Sequence, residues 1–205
     1  MFIVFEGGEG VGKTTQVKAL FRRLVNLNYT VTLTYEPGGT SLGRSLRRRL
    51  KTGTALSAVT ELFLFNASRS ELVKEVIRPA LARNQIVICD RYTASTVAYQ
   101  GYGRGLPLDL IEQVNRASTE GLEATMTVLL KADPKIGLER KKSGGKDIFE
   151  SEESTFHEKV QQGYQSLAMA DPAKWVVIDA SLPMKEVSLL VWKRIEPLLD
   201  SVPCN

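Results

Sequence analysis

FEGGEGVGKTT, residues 5–15, sets four glycines among the six positions from Gly7 to Gly12 and follows them with Lys13, Thr14 and Thr15. Backbone so free of side chains lets successive N–H groups turn inward and approach an anion closely. The stretch lies between an apolar run, MFIVFE (1–6), and a segment with apolar residues at 17, 20, 21, 24 and 27, which is a helical period. Gly7-x-x-x-x-Gly12-Lys13-Thr14 in a strand–loop–helix setting is the P-loop pattern. The helix beginning near Lys13 adds its positive end to the loop's amides. Lys13 is expected to meet the β- and γ-phosphates of a nucleoside triphosphate, and the Thr14 hydroxyl to ligate Mg²⁺. The expected nucleotide-binding residues are therefore Gly7, Gly8, Glu9, Gly10, Val11, Gly12, Lys13, Thr14 and Thr15.

Working outward, short apolar runs recur at 29–36, 85–90, 124–131 and 175–180, each separated from the next by helical pattern. Continuous rather than alternating apolarity marks strands covered on both faces. The expected fold is α/β: a P-loop NTPase three-layer architecture with a five-stranded parallel sheet flanked by helices. Helices are expected at 13–28, 41–51, 56–83 with a break near Pro79, 107–119 with Pro107 in its first turn, 133–142, 152–170 and 184–200. In the last, Leu189, Leu190, Trp192 and Ile195 form an expected core stripe. No repeat or linker divides the 205 residues, so one domain, 1–205, is expected.

Composition excludes little. With 27 basic and 23 acidic residues the net charge is +4, and the pI is about 9.1. That invites a nucleic-acid reading, but the excess is mild; only RSLRRRL (44–50) is a local cluster. No apolar run is long enough to span a bilayer. The start of the chain lacks a basic n-region and a cleavable apolar region, so a signal peptide is not expected and the setting reads as cytoplasmic. Cys89 and Cys204 have no metal-ligand spacing and read as free thiols.

A GTPase would carry N-K-x-D to read guanine, and no such tetrapeptide occurs. A small-molecule kinase needs a second pocket for its acceptor. Asp90 and Arg91 end an apolar run, where ligands sit in open parallel sheets. Asp90 could hold Mg²⁺, and Arg91 could grip a phosphate by a bidentate fork; a structural Asp–Arg pair is the alternative. Ser95 and Tyr99, and Thr96 and Gln100, are four apart and share helix faces, with hydroxyl and amide groups suited to a nucleobase edge. Phe65 and Arg69 have the same spacing: one ring to stack, one guanidinium to donate to a base carbonyl. Core packing for Phe65 and surface exposure for Arg69 are the alternatives.

FEGGEGVGKTT, EPGGT (36–40), LFLFNASR (62–69) and DRYTASTVAYQGYGRG (90–105), in that order, resemble the motifs of bacterial thymidylate kinases. The similarity extends over essentially the whole chain. It implies ATP-dependent phosphorylation of dTMP to dTDP with Mg²⁺, and a homodimer with no nucleic-acid or membrane partner. It implies that Phe65 stacks on thymine, Arg69 donates to its carbonyl, Thr96 and Gln100 line the base edge, and Tyr99 lies by the sugar. Arg91 and Arg47 would hold the acceptor phosphate, Glu9 would sit near the acceptor sugar, and Glu36, Pro37 and Ser95 would complete the acceptor site. Positions 8–11 hold no base, so the resemblance places the catalytic cation, beside Lys13, Glu9 and Arg91, in a mobile lid over about 139–153. Arg140 and Lys142 are its candidates, as in the type II arrangement. The lid departs from the family pattern at Lys142, Gly144 and Ile148, and Tyr35 stands where arginine usually precedes EPGGT. Two alternatives stay open: another nucleoside monophosphate or deoxynucleoside kinase, and a P-loop nucleic-acid-binding or switch module.

Overall fold

The computed structural model describes residues 1–52, 56–140, 149 and 152–201. Strands β1 (Phe2–Glu6), β2 (Val31–Tyr35), β3 (Ile86–Asp90), β4 (Met126–Lys131) and β5 (Trp175–Asp179) form one sheet in the order β2-β3-β1-β4-β5. All the pairings are parallel, with Val4 opposite Cys89 on one side and Thr127 on the other. The helices are α1 (Lys13–Asn26), α2 (Ser41–Thr52), α3 (Ala58–Leu72), α4 (Arg78–Ala82), α5 (Thr93–Thr96), α6 (Leu108–Thr119), α7 (Pro134–Arg140), α8 (Ser154–Ala170) and α9 (Met184–Ile195).

The apolar strands serve two faces. Ile3, Phe5, Ile88, Val128 and Leu130 pack on Val17, Leu20 and Leu24 of α1 and on Val187, Val191, Trp192 and Ile195 of α9. Phe2, Val4, Val87 and Cys89 point the other way, onto Leu72, Val73, Ile77, Ala80 and Tyr92. Alternate residues thus bury on opposite sides, which is why the runs read as continuous. The α9 stripe is corrected in part: Leu189 and Leu190 are exposed, and Val187 and Val191 take the core positions. Cys89 is a buried free thiol; Cys204 lies outside the described residues.

Pro79 does not break its helix. A π-turn, Val73–Ile77, joins α3 to α4, and Pro79 follows in the first turn of α4. Proline lacks an N–H and crowds the carbonyl four residues back, so a wider turn before it removes both conflicts. A second π-turn, Val97–Gly103, extends α5. Pro107 caps α6 from just outside rather than sitting in its first turn. The chain leaves β1 toward β2 and β3 on one side and reaches β4 and β5 on the other. β1 is therefore the switch point, and the crevice beyond its carboxyl end is where a ligand belongs.

Candidate active site

The loop from Gly7 to Gly12 occupies that crevice. Gly12 caps α1 in the left-handed region at φ 89°. Gly10, at φ 67°, lies so close to α7 that a Cβ would overlap the Gly137 carbonyl; any other residue would push that helix off the loop. The Lys13 ammonium donates to the carbonyls of Gly7 and Gly8 at 2.9 and 2.6 Å. Burial lowers the Lys13 pKa to about 8, with Arg91 acting the same way and Glu9, Asp90 and Glu6 opposing it. The Thr14 hydroxyl donates to Asp90 Oδ2 at 2.7 Å. These two oxygen groups are the kind of hard donors that Mg²⁺ prefers. Among the described residues no group of three or more His, Cys, Asp or Glu side chains forms a metal centre.

A cleft of about 680 Å³ runs from this loop to a second, partly aromatic wall. Glu9, Gly10, Val11, Gly12, Lys13, Thr14 and Thr15 line one end. Glu36, Pro37, Arg47, Phe65, Asp90, Arg91, Ser95, Thr96, Tyr99 and Gln100 line the rest. Gly7 and Gly8 are not among the residues that line the cleft. Arg91 lies at its centre: its guanidinium donates to the Gly7 carbonyl, Ser95, Tyr164, Tyr99 and Glu9. Tyr99 also donates to Glu9 Oε1 at 2.7 Å. The Glu9 carboxylate is thus tied to Arg91 and Tyr99 rather than loose in the loop.

Arg47 donates to the Pro37 carbonyl at 3.1 Å and stands 5.4 Å from the centre of the Tyr35 ring. Tyr35 thereby makes a cation–π contact with the arginine one helix away, which arginine in its place could not make. Gln100 donates to Glu61 Oε2 at 3.0 Å, which aims its amide.

Arg69 is the residue that the structure withholds from the cleft wall. It is 1 % exposed and donates to Glu36, Asn66, Asn115, Thr96 and the Tyr92 carbonyl. Neither surface exposure nor a free fork facing a base describes it. Its ion-pair partner Glu36 is also buried; burial raises the Glu36 pKa to about 7 against the pull of Arg69. Glu36 lines the cleft, and its buried Oε1 has no hydrogen-bond partner among the described residues.

Phe149 lines the cleft without belonging to any of the quoted motifs, and Arg104, inside the last of them, lies over its ring. Phe149 packs 6.0 Å from Phe65 and 5.8 Å from Tyr99, centroid to centroid. Arg104 joins Glu61 to Glu152 and lies over the Phe149 and Phe156 rings. A charged residue amid the aromatics of 99–105 was the available signal for Arg104; Phe149 offered none beyond being apolar in a polar stretch. His157 is buried against Phe156 and does not line the main cleft. Lys142 and the Arg140 side chain lie outside the described residues, as does most of the expected lid.

A parallel sheet with this strand order, a phosphate-binding loop at its switch point and a second pocket sharing the loop's cleft define a P-loop phosphotransferase. The family model described as thymidylate kinase matches residues 5–191. A thymidylate kinase of Synechococcus sp. is 49% identical over 204 residues, covering 99% of each chain. One from Dehalococcoides mccartyi is 48% identical over 201 residues, covering 97% of each. The crystal structure of thymidylate kinase from Ehrlichia chaffeensis superposes with a TM-score of 0.81 at 34% identity, covering 95% of this chain and 98% of that one. The chain belongs to the thymidylate kinase family.

Proposed function

We propose that this enzyme transfers the γ-phosphate of ATP to dTMP, giving dTDP and ADP. The observation that carries the reading is the shared cleft: Lys13 and the loop amides at one end, and Phe65, Tyr99, Thr96 and Gln100 at the other, with Arg91 between them. Phosphoryl transfer needs positioning and charge neutralisation more than covalent chemistry. The acceptor phosphate oxygen is already anionic, so no strong general base is required. Lys13, Arg91 and Arg47 offset the repulsion between two anions held in line. Phe65 stacks on the base, Gln100 and Thr96 meet its edge, and Tyr99 packs by the sugar beside Glu9. Recognition of a base carbonyl by Arg69 requires the guanidinium to exchange one of its internal partners.

Thr14 and Asp90 would hold Mg²⁺, which would supply neutralisation of phosphate charge. The chain acts as one domain, with a lid over about 139–153 supplying a further cation, Arg140 or Lys142. We also place the enzyme in the cytoplasm; among the described residues no helix is long and apolar enough to cross a membrane. A homodimer is supported by α3, which is apolar on both faces. Leu62 is buried while Phe63 is 54 % exposed, with Val59 exposed one turn away and Leu42 of α2 and Leu108 of α6 exposed on its neighbours.

The test is ADP release from Mg-ATP with dTMP, dUMP, UMP, CMP, AMP or GMP as acceptor. Release chiefly with dTMP is expected. Release chiefly with another monophosphate would move the assignment to that acceptor, and ATP turnover indifferent to all of them would remove the acceptor pocket from the account.

A further inference from the structure

Glu6 ends β1 with a carboxylate that is 0 % exposed, in a strand otherwise made of Phe, Ile and Val. A buried charge of this kind is costly unless it is fully hydrogen-bonded, and this one is. Its Oε1 accepts from the backbone N–H groups of Tyr92 and Ser95 at 2.8 and 3.2 Å. Its Oε2 accepts from the hydroxyls of Ser95 and Tyr164 at 2.7 and 3.0 Å. Both hydroxyls are in turn acceptors for the Arg91 guanidinium, at 3.3 and 3.1 Å. Arg91 itself has a left-handed backbone, φ 75°, a conformation that a residue with a long side chain adopts only when its surroundings impose it. The bond from Tyr92 N–H to Glu6 lies immediately after that strained residue, and Arg91 N–H is fixed to the Phe5 carbonyl at 2.9 Å.

We propose that Glu6 is a positioning residue for Arg91: it anchors the turn from which Arg91 projects and orders the Ser95 and Tyr164 hydroxyls so that their lone pairs face the guanidinium. An ionised carboxylate only accepts hydrogen bonds, so the Ser95 and Tyr164 hydroxyls, themselves 2.9 Å apart, turn their protons to Glu6 and oxygen lone pairs to Arg91. An amide in the same place reverses this. With its oxygen on the two backbone N–H groups, its NH₂ donates to the hydroxyls; one displaced proton can pass between the two hydroxyls, and the other is driven toward Arg91, which is itself a donor. The fork then loses one of its supports. The inference rests on the reading that Arg91 holds the acceptor phosphate.

That reading supplies a test which a merely structural residue would not pass. Calorimetric titration with dTMP is compared with titration with thymidine, which lacks the phosphate, in the full chain and in Glu6→Gln. The variant is expected to bind dTMP about tenfold more weakly, as for the loss of one charge-assisted hydrogen bond, and thymidine as the unaltered protein does. If Glu6→Gln fails to fold, Tyr164→Phe keeps the ring, removes one of the two bridging hydroxyls and is expected to show the same selective loss. Equal weakening of both ligands, or of neither, in a background that prefers dTMP would overturn the inference alone. An unaltered protein that binds thymidine and dTMP equally would overturn the role of Arg91, and the inference with it.

Discussion

Lys13 keeps an ammonium group where water scarcely reaches it, and its pKa falls to about 8 because burial disfavours the charged form. Bound triphosphate favours that form, so the pKa of Lys13 rises on binding and binding takes up a proton once the pH exceeds the free enzyme's value. Affinity for ATP should therefore be steady below pH 8 and fall as pH rises through that value. KM for ATP measured from pH 6.5 to 9.5 checks this; a flat profile would mean that Lys13 keeps its proton throughout. Phe65 makes a second prediction at this scale. Phe65→Ala should weaken dTMP binding by about 1–3 kcal/mol, the usual cost of losing an aromatic stacking platform, and unchanged affinity would take the ring out of the base site. Lys13, Thr14, Phe65 and Arg91 were legible in the sequence because each belongs to a motif with its own spacing. The roles of Glu6, Tyr164 and Arg104 were not, although Glu6 and Arg104 fall inside motifs, because their partners lie 89, 158 and 43 residues away and only the fold brings them together.

Among the elements, α3 carries the most unexpected arrangement. Helical spacing correctly set Phe65 and Arg69 on one helix, but spacing does not tell how deep a residue sinks. Arg69 lies inside a polar network joining α3 to the loop after β2, to α5 and to α6. Removing one member of a buried ion pair leaves the other uncompensated, so Arg69→Leu should lose about 3–5 kcal/mol of stability, read from urea unfolding. Full stability with lost dTMP affinity would return Arg69 to a purely ligand-facing role. The π-turns were equally hidden. Pro79 announced an irregularity, though not that a wider turn would absorb it. Nothing at 97–103 announced the second. A one-residue slip in hydrogen bonding is settled by packing against α8 and α6, not by local preference.

For the whole molecule, the parallel sheet was legible because both faces are covered and the strands lack polar alternation. The strand order was not, since it depends on which edges meet. The exposed apolar side of α3 has its own consequence. Sedimentation should show a dimer at micromolar concentration, and Phe63→Glu, which puts a charge on that face, should shift it to monomer; a monomer before substitution would contradict the homodimer. The central claim concerns where a phosphoryl group goes, and one measurement follows it directly. Incubated with dTMP and Mg-ATP labelled at the γ-phosphate, the enzyme should place the label in the β-phosphate of dTDP, with one ADP formed for each dTDP. Label appearing as inorganic phosphate, with dTMP unchanged, would contradict the account.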